Sequence, residues 1–442
     1  MKSKKIALLT LLSAVFFACS QEEDKIVELP LTPQKGYGHF APFFYEGFGG
    51  ISPYSENEDK TNLKVSKFPE GLTDMKLGDI ETNRYQSAYQ NYLLGNITKE
   101  RYEELQKSWD WTPDTINLSK TPVKTRIAFV SGKDAEGIVK IAVDANNNLD
   151  LSDDGLFIPL DMDSYHWSKA DSFAQVYAVD VSFETFVHNK IVPVSVPLFV
   201  VYNSGLKMFM SSFSQYMTTQ YEGKQIAVSS FTSLAYHDIK LAVIPEDLEN
   251  GKKLKEEDLY KKNEYIDIKG KNYKVLGVNT NKNALVLEKT NLPKTQLFAA
   301  RAGYKAPLFE GEDLTTNSNI SLESFKGKYV LLDIWGDWCK PCIEELPHLK
   351  ELYAITDRAK FEIIGIAGHS SSEGIKKLVD EHELTWVQIL SDDTNKIVES
   401  YGVEGYPTAI LLDTEGVIIA KNIGAGSESR RLEEKILNLM EE

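Results

Sequence analysis

Two cysteines three residues apart, Cys339 and Cys342, are the side chains of this sequence best placed to do chemistry. At that spacing the sulfurs can close a disulfide across the first turn of a helix. The first sulfur would then sit where unpaired backbone N–H groups and the helix dipole favour a thiolate. Lys340, between them, adds a positive charge. The same spacing is half of a zinc site, but a closed structural zinc takes about four ligands. The only other cysteine is Cys19, more than three hundred positions away, and neither His348 nor His369 belongs to a C-x-x-C partner pattern. Zinc and a pair of inert thiols are thus the weaker alternatives to a redox pair.

Such a pair needs one element to end before it and another to begin with it. The apolar run Tyr329–Trp335 reads as a strand and Lys340–Thr356 as a helix, with the cysteines at their junction. The alternation continues with strand Phe361–Ala367, helix Glu373–His382, strand Trp386–Leu390 and helix Asn395–Tyr401 ending at Gly402. Strands Thr408–Leu412 and Val417–Ile423, joined by a turn at Glu415-Gly416, and helix Ser429–Met440 complete it. Helices at this spacing imply a central sheet covered on both faces, an α/β fold.

The run Asp333-Ile-Trp335-Gly-Asp-Trp338-Cys339-Lys-Pro-Cys342, with Gly405-Tyr406-Pro407-Thr408 later, resembles the thioredoxin superfamily. Glu345 and Pro347, and the entry Ala306-Pro307-Leu308-Phe309, resemble its membrane-tethered TlpA-like branch of thiol–disulfide oxidoreductases. The resemblance covers about the last 140 residues. It implies a thioredoxin fold with Cys339 as attacking thiolate and Cys342 as the more buried resolving thiol. It implies that Pro407 is the family's cis-proline, setting Tyr406 beside the cysteines where backbone can pair with an extended substrate. Trp338 would cover the sulfur pair. Asp333, six residues before Cys339, matches the buried acid of thioredoxins proper; in an apolar strand its pKa should rise, suiting it to take the proton of Cys342. Glu345 is the second candidate for that task. A peroxiredoxin, which wants Pro-x-x-x-Thr/Ser-x-x-Cys, is disfavoured because Trp335 and Gly336 stand four and three residues before Cys339.

At the other end, Lys2, Lys4 and Lys5 precede an apolar run from Ile6 to Ala18, the layout of an export signal. Phe16-Phe17-Ala18-Cys19 resembles a bacterial lipobox, which implies lipidation of Cys19 and an anchor of several acyl chains. The acidic Ser20-Gln21-Glu22-Glu23-Asp24 behind it resembles the stretch that sends some Bacteroidota lipoproteins to the outer surface; a plain solvated spacer is the equal alternative. The expected organisation is a signal peptide over 1–19, a tether over 20–30, a β-rich domain over 31–300 and the thioredoxin-like domain over 301–442.

The β-rich region offers a helix over Asn83–Trp109, then strands Lys124–Val130, Gly137–Val143, Gln175–Phe183, Pro193–Tyr202, Lys207–Phe213, Gln225–Phe231, Ile239–Ile244, Tyr265–Ile268, Tyr273–Val278 and Ala284–Glu288. Turns fall at Asn250-Gly251 and Lys269-Gly270. Tyr37, Phe40, Phe43, Phe44, Tyr45, Phe48 and Tyr54 form an aromatic stretch that packs over a core edge or stacks on a ligand. In the loop from Asp144 to Gly155, Asp144, Asn146, Asn148 and Asp150 alternate as calcium ligands do. Leu149 replaces the turn glycine and Gly155 the closing glutamate, so an Asx-rich hairpin turn explains most of the pattern.

The chain of 442 residues carries a net charge of −16, which argues against nucleic acid as a partner. The expectation is an enzyme: a lipid-anchored envelope thiol–disulfide oxidoreductase, on the periplasmic side or the outer surface, reducing disulfides of an envelope protein. Asp333 and the Lys340-Pro341 pair favour that direction, and no cofactor is required. The resemblance further implies a membrane thiol donor as electron source. The rival reading is a binding lipoprotein whose β-rich domain captures a protein or glycan.

Overall fold

The computed structural model describes residues 25–42, 44–46, 48–51, 60–229, 239–249 and 252–441, with the side chains of 45–51, 427 and 428 left aside. Cys19, the export signal, residues 20–24 of the expected tether, the Asn250-Gly251 turn, Phe43 and Tyr54 lie outside the described residues. The rest of that tether is corrected: Ile26–Pro30 is a strand paired antiparallel with Ala284–Glu288. The chain divides into two compact units, one of residues up to 263 with 274–289, the other of 264–273 with 290–442.

The first unit is β-rich. One antiparallel sheet runs Phe48–Ile51, Thr73–Glu81, Arg126–Lys133, Val139–Val143. A second centres on Lys190–Asn203, which pairs with Val179–Val187 up to Leu198 and with Met208–Phe213 from Leu198 onward. Pro193 and Pro197 therefore sit where the strand has one partner, on the stretch that can spare a donor.

Two expectations are corrected here. The helix over Asn83–Trp109 is two helices, Arg84–Leu93 and Lys99–Ser108. Gly95 adopts φ +69°, and the Thr98 hydroxyl accepts the N–H of Arg101 to start the second helix. The cap signal at Thr98 outweighs the continuous pattern around it. Likewise Gln175 opens no strand: Ala170–Tyr177 is a helix that buries Ala170 and Ala174 four residues apart, and the strand starts at Val179. In the aromatic stretch, Tyr37, Phe40 and Phe44 are buried, as core packing requires; Phe44 sits edge-on to Tyr165 at 5.2 Å.

The second unit has the thioredoxin fold. Its elements are β1 (Tyr329–Trp335), α1 (Lys340–Ile355), β2 (Phe361–Ala367), α2 (Ser372–His382), β3 (Val387–Leu390), α3 (Ile397–Ser400), β4 (Thr408–Leu412), β5 (Ile418–Ile423) and α4 (Ser427–Glu441). The sheet order is β3-β2-β1-β4-β5. β1, β2 and β3 run parallel, while β4 is antiparallel to β1 and β5 to β4. Both faces of the central strand are covered, so β1 is apolar nearly throughout. Leu331 and Trp335 pack with α1, α2 and α4, whereas Val330, Leu332 and Ile334 face Phe309, Ile397 and Tyr401. Pairing of Trp335 with Ala367 at the ends of β1 and β2 brings the two following loops side by side.

Candidate active site

Cys339 caps α1 and Cys342 lies in its first turn. Pro341 suits this place, because a first-turn residue has no intrahelical use for an N–H. The sulfurs are joined, 2.03 Å apart, with Cα atoms 5.3 Å apart. The Cys342 N–H donates to Cys339 Sγ at 3.3 Å, so the first sulfur occupies the oxygen's place in an ordinary N-cap. In the disulfide both residues are buried, Cys339 at 4% and Cys342 at 2% exposure.

Asp333 projects from β1 on the face that carries Leu331 and Trp335, beneath the first turns of α1. The residue is 5% exposed. Burial first, and the charge of Glu345 second, push its pKa up to about 7. Glu345 is half-buried on α1, and its Oε1 accepts the N–H of Gly426 at 3.2 Å, just ahead of α4. Its effect on Asp333 is that of a neighbouring negative charge.

The Tyr406–Pro407 peptide is cis. Tyr406 packs against the core cluster that holds both cysteines. Trp338 is 55% exposed; its ring stands edge-on to Tyr406 at 5.1 Å, and its Nε1–H donates to the carbonyl of Gly368 at 3.2 Å. Behind the disulfide, Trp335 is fully buried and donates Nε1–H to Gln388 Oε1 at 3.1 Å. The Gln388 N–H in turn donates to Asp313 Oδ1 at 3.0 Å.

Sequence reasoning did not find Gln388 or the Gly368–Ser371 loop, since both reach the cysteines only through the parallel pairing of β1, β2 and β3. One signal was available for the loop: its glycine follows directly on an apolar strand.

The loop at Asp144 is built as an Asx-rich turn, with its candidate calcium ligands bonded within the protein. The Asp144 carboxylate accepts the N–H groups of Asn148 and Leu149 at 3.0 and 2.9 Å. Asn146 and Asn148 turn their amides to Asp153, and Asp150 is paired with Lys67 at 2.7 Å. Among the described residues no group of three or more His, Cys, Asp or Glu side chains is arranged to hold a metal ion.

Residues 302–421 match the family described as AhpC/TSA. The thiol–disulfide oxidoreductase ResA of Bacillus thuringiensis subsp. konkukian is 36% identical over 132 residues, 30% of this chain and 75% of that protein. The chain belongs to the thiol–disulfide oxidoreductases of the thioredoxin superfamily. The ResA of Halalkalibacterium halodurans is 33% identical over 129 residues of this oxidoreductase, 29% of it and 72% of the relative. Among solved structures, the thioredoxin domain of a thiol–disulfide oxidoreductase from Bacteroides vulgatus is 33% identical and covers 31% of this chain and 97% of its own, with a TM-score of 0.28. The residues matched by the family, 302–421, lie within the second unit of this oxidoreductase and include Cys339 and Cys342.

Proposed function

We propose that this oxidoreductase is anchored by lipid at Cys19 in the cell envelope and reduces disulfides of envelope proteins through Cys339 and Cys342. What supports the reading most is the Cys339–Cys342 bond at the start of α1 above a carboxyl, Asp333, whose pKa lies near 7.

In the reduced protein the Cys339 thiolate attacks one sulfur of the substrate disulfide. A mixed disulfide forms and one substrate thiolate leaves. Asp333, its pKa raised by burial, takes the proton of the Cys342 thiol when in its carboxylate form. The Cys342 thiolate then attacks Cys339 Sγ, the second substrate thiolate leaves, and the Cys339–Cys342 bond closes. Two electrons pass from the protein to the substrate, and a dithiol donor at the membrane restores them. Tyr406 and Pro407 supply the backbone on which an extended substrate segment lies, with Trp338 beside it. The family match begins at residue 302, and we assign the preceding β-rich unit to substrate selection.

Among the described residues no helix is long and apolar enough to cross a membrane. The test is trapping in living cells. Cys342→Ser should accumulate mixed disulfides that dithiothreitol releases, and Cys339→Ser should not. If neither variant traps a partner while both retain binding to envelope material, the chain is a binding lipoprotein instead. Labelling with a tagged fatty acid should mark the wild type and spare Cys19→Ser.

A further inference from the structure

Asp337 precedes Cys339 by two residues and has no part in the exchange steps above. It is nonetheless the centre of a bonded patch linking the cysteine loop to the loop after β2. Asp337 Oδ2 accepts the N–H and the hydroxyl of Ser371, each at 3.3 Å. The Asp337 N–H donates to Ser370 Oγ at 3.1 Å, and that hydroxyl donates to the Gly368 carbonyl at 3.0 Å. The same carbonyl receives the indole N–H of Trp338. Ser371 Oγ also accepts the N–H of Gly374 at 3.0 Å and so caps α2.

Three glycines in three segments are cleared for this patch. A Cβ at Gly374 would lie 2.0 Å from Asp337 Oδ2, one at Gly336 would lie 2.7 Å from Trp338 Nε1, and one at Gly368 would lie 2.2 Å from Tyr406 Oη. Between Gly368 and Ser370, His369 holds φ +52°, an unusual conformation for a residue with a Cβ, with its ring 6.1 Å from that of Tyr406. Backbone strain and close approach concentrated at one place mark a geometry that the surroundings enforce.

We propose that Asp337 is a positioning residue: by fastening the loop of Cys339 to the start of α2, it fixes where Cys339 and Trp338 stand when a substrate disulfide arrives. The carboxylate acts through its accepted bonds to Ser371. The carboxylate is held at the N-terminus of α2 by its bonds to Ser371. The inference rests on the exchange activity proposed above.

The test uses the full-length protein in detergent, reducing a fluorogenic disulfide peptide with dithiothreitol as electron source. Asp337→Ala removes both accepted bonds, each long at 3.3 Å, and should lower kcat/KM about tenfold, the low end of the cost of losing hydrogen bonds to a charged group. Asp337→Asn keeps an acceptor oxygen without the charge and should restore the rate to within about threefold of wild type. Ser370→Ala breaks the patch from the other side and should fall between them, which keeps the test open if Asp337→Ala folds poorly. Wild-type rates in all variants would overturn the proposal. So would equal losses in the Ala and Asn variants, since charge and not position would then matter. An inactive wild type would instead defeat the exchange reading itself.

Discussion

Replacing Asp333 by asparagine should make the protein more stable, and increasingly so as pH rises. The folded-state pKa of Asp333 is raised from 3.8 to about 7. A carboxyl raised in this way contributes its full stability below the unfolded pKa and loses it as pH climbs through the folded one. Between those values the unfolded chain ionises while the native one holds its proton, so each pH unit costs about 1.4 kcal/mol. Over the whole interval the penalty approaches about 4 kcal/mol, of which roughly 2–3 kcal/mol develops between about pH 5 and pH 8. An asparagine side chain cannot ionise, so Asp333→Asn escapes this pH-dependent part. The assay is urea unfolding of the oxidised protein at both pH values, read at the transition that reduction of the disulfide displaces, which belongs to the second unit. The stability gap between variant and wild type should widen by that amount from the lower pH to the higher. An equal gap at both would refute a buried, proton-loaded Asp333. The same variant should slow disulfide exchange by about a hundredfold at neutral pH, where the carboxylate form acts as base.

Gly368→Ala should cost roughly 1–3 kcal/mol, because its Cβ would meet Tyr406 Oη at 2.2 Å, and adding Tyr406→Phe should recover only part of the loss in thermal melts, since Val398 Cγ2 still stands 2.9 Å away. Tyr406→Phe alone should be close to neutral, since the buried Tyr406 hydroxyl makes no hydrogen bond among the described residues. Gln388→Leu should lower stability by about 1–3 kcal/mol, because it leaves the buried N–H of Trp335 without its acceptor; a calorimetric melt showing no loss would contradict that role.

The second unit was legible element by element because its strands are apolar nearly throughout. Tyr329–Trp335, Phe361–Ala367 and Thr408–Leu412 form as the sequence suggests. Strands buried on both faces leave no alternation to misread. The first unit was legible only as β-rich. The sequence from Asn83 to Trp109 is helical on both sides of Gly95, and a single glycine with a threonine cap three residues on splits it. Of the site, the cysteines were marked by local spacing, the cis-proline loop by resemblance to the thioredoxin superfamily, and Asp333 by being an acid in an apolar strand. Asp337, Ser371 and Gln388 carry no such local mark, and Gly368 only that it follows directly on an apolar strand. Their partners stand 30 or more positions away, and only the register of β1 against β2 and of β2 against β3 joins them.

Whether Cys339 and Cys342 form a reducing couple is read directly from the reduction potential. Equilibrating the protein against dithiothreitol or glutathione buffers and counting free thiols gives that value. A reducing couple should lie near thioredoxin, about −270 mV; a potential near that of the oxidant DsbA, about −120 mV, would reverse the direction of electron flow and contradict the proposed function.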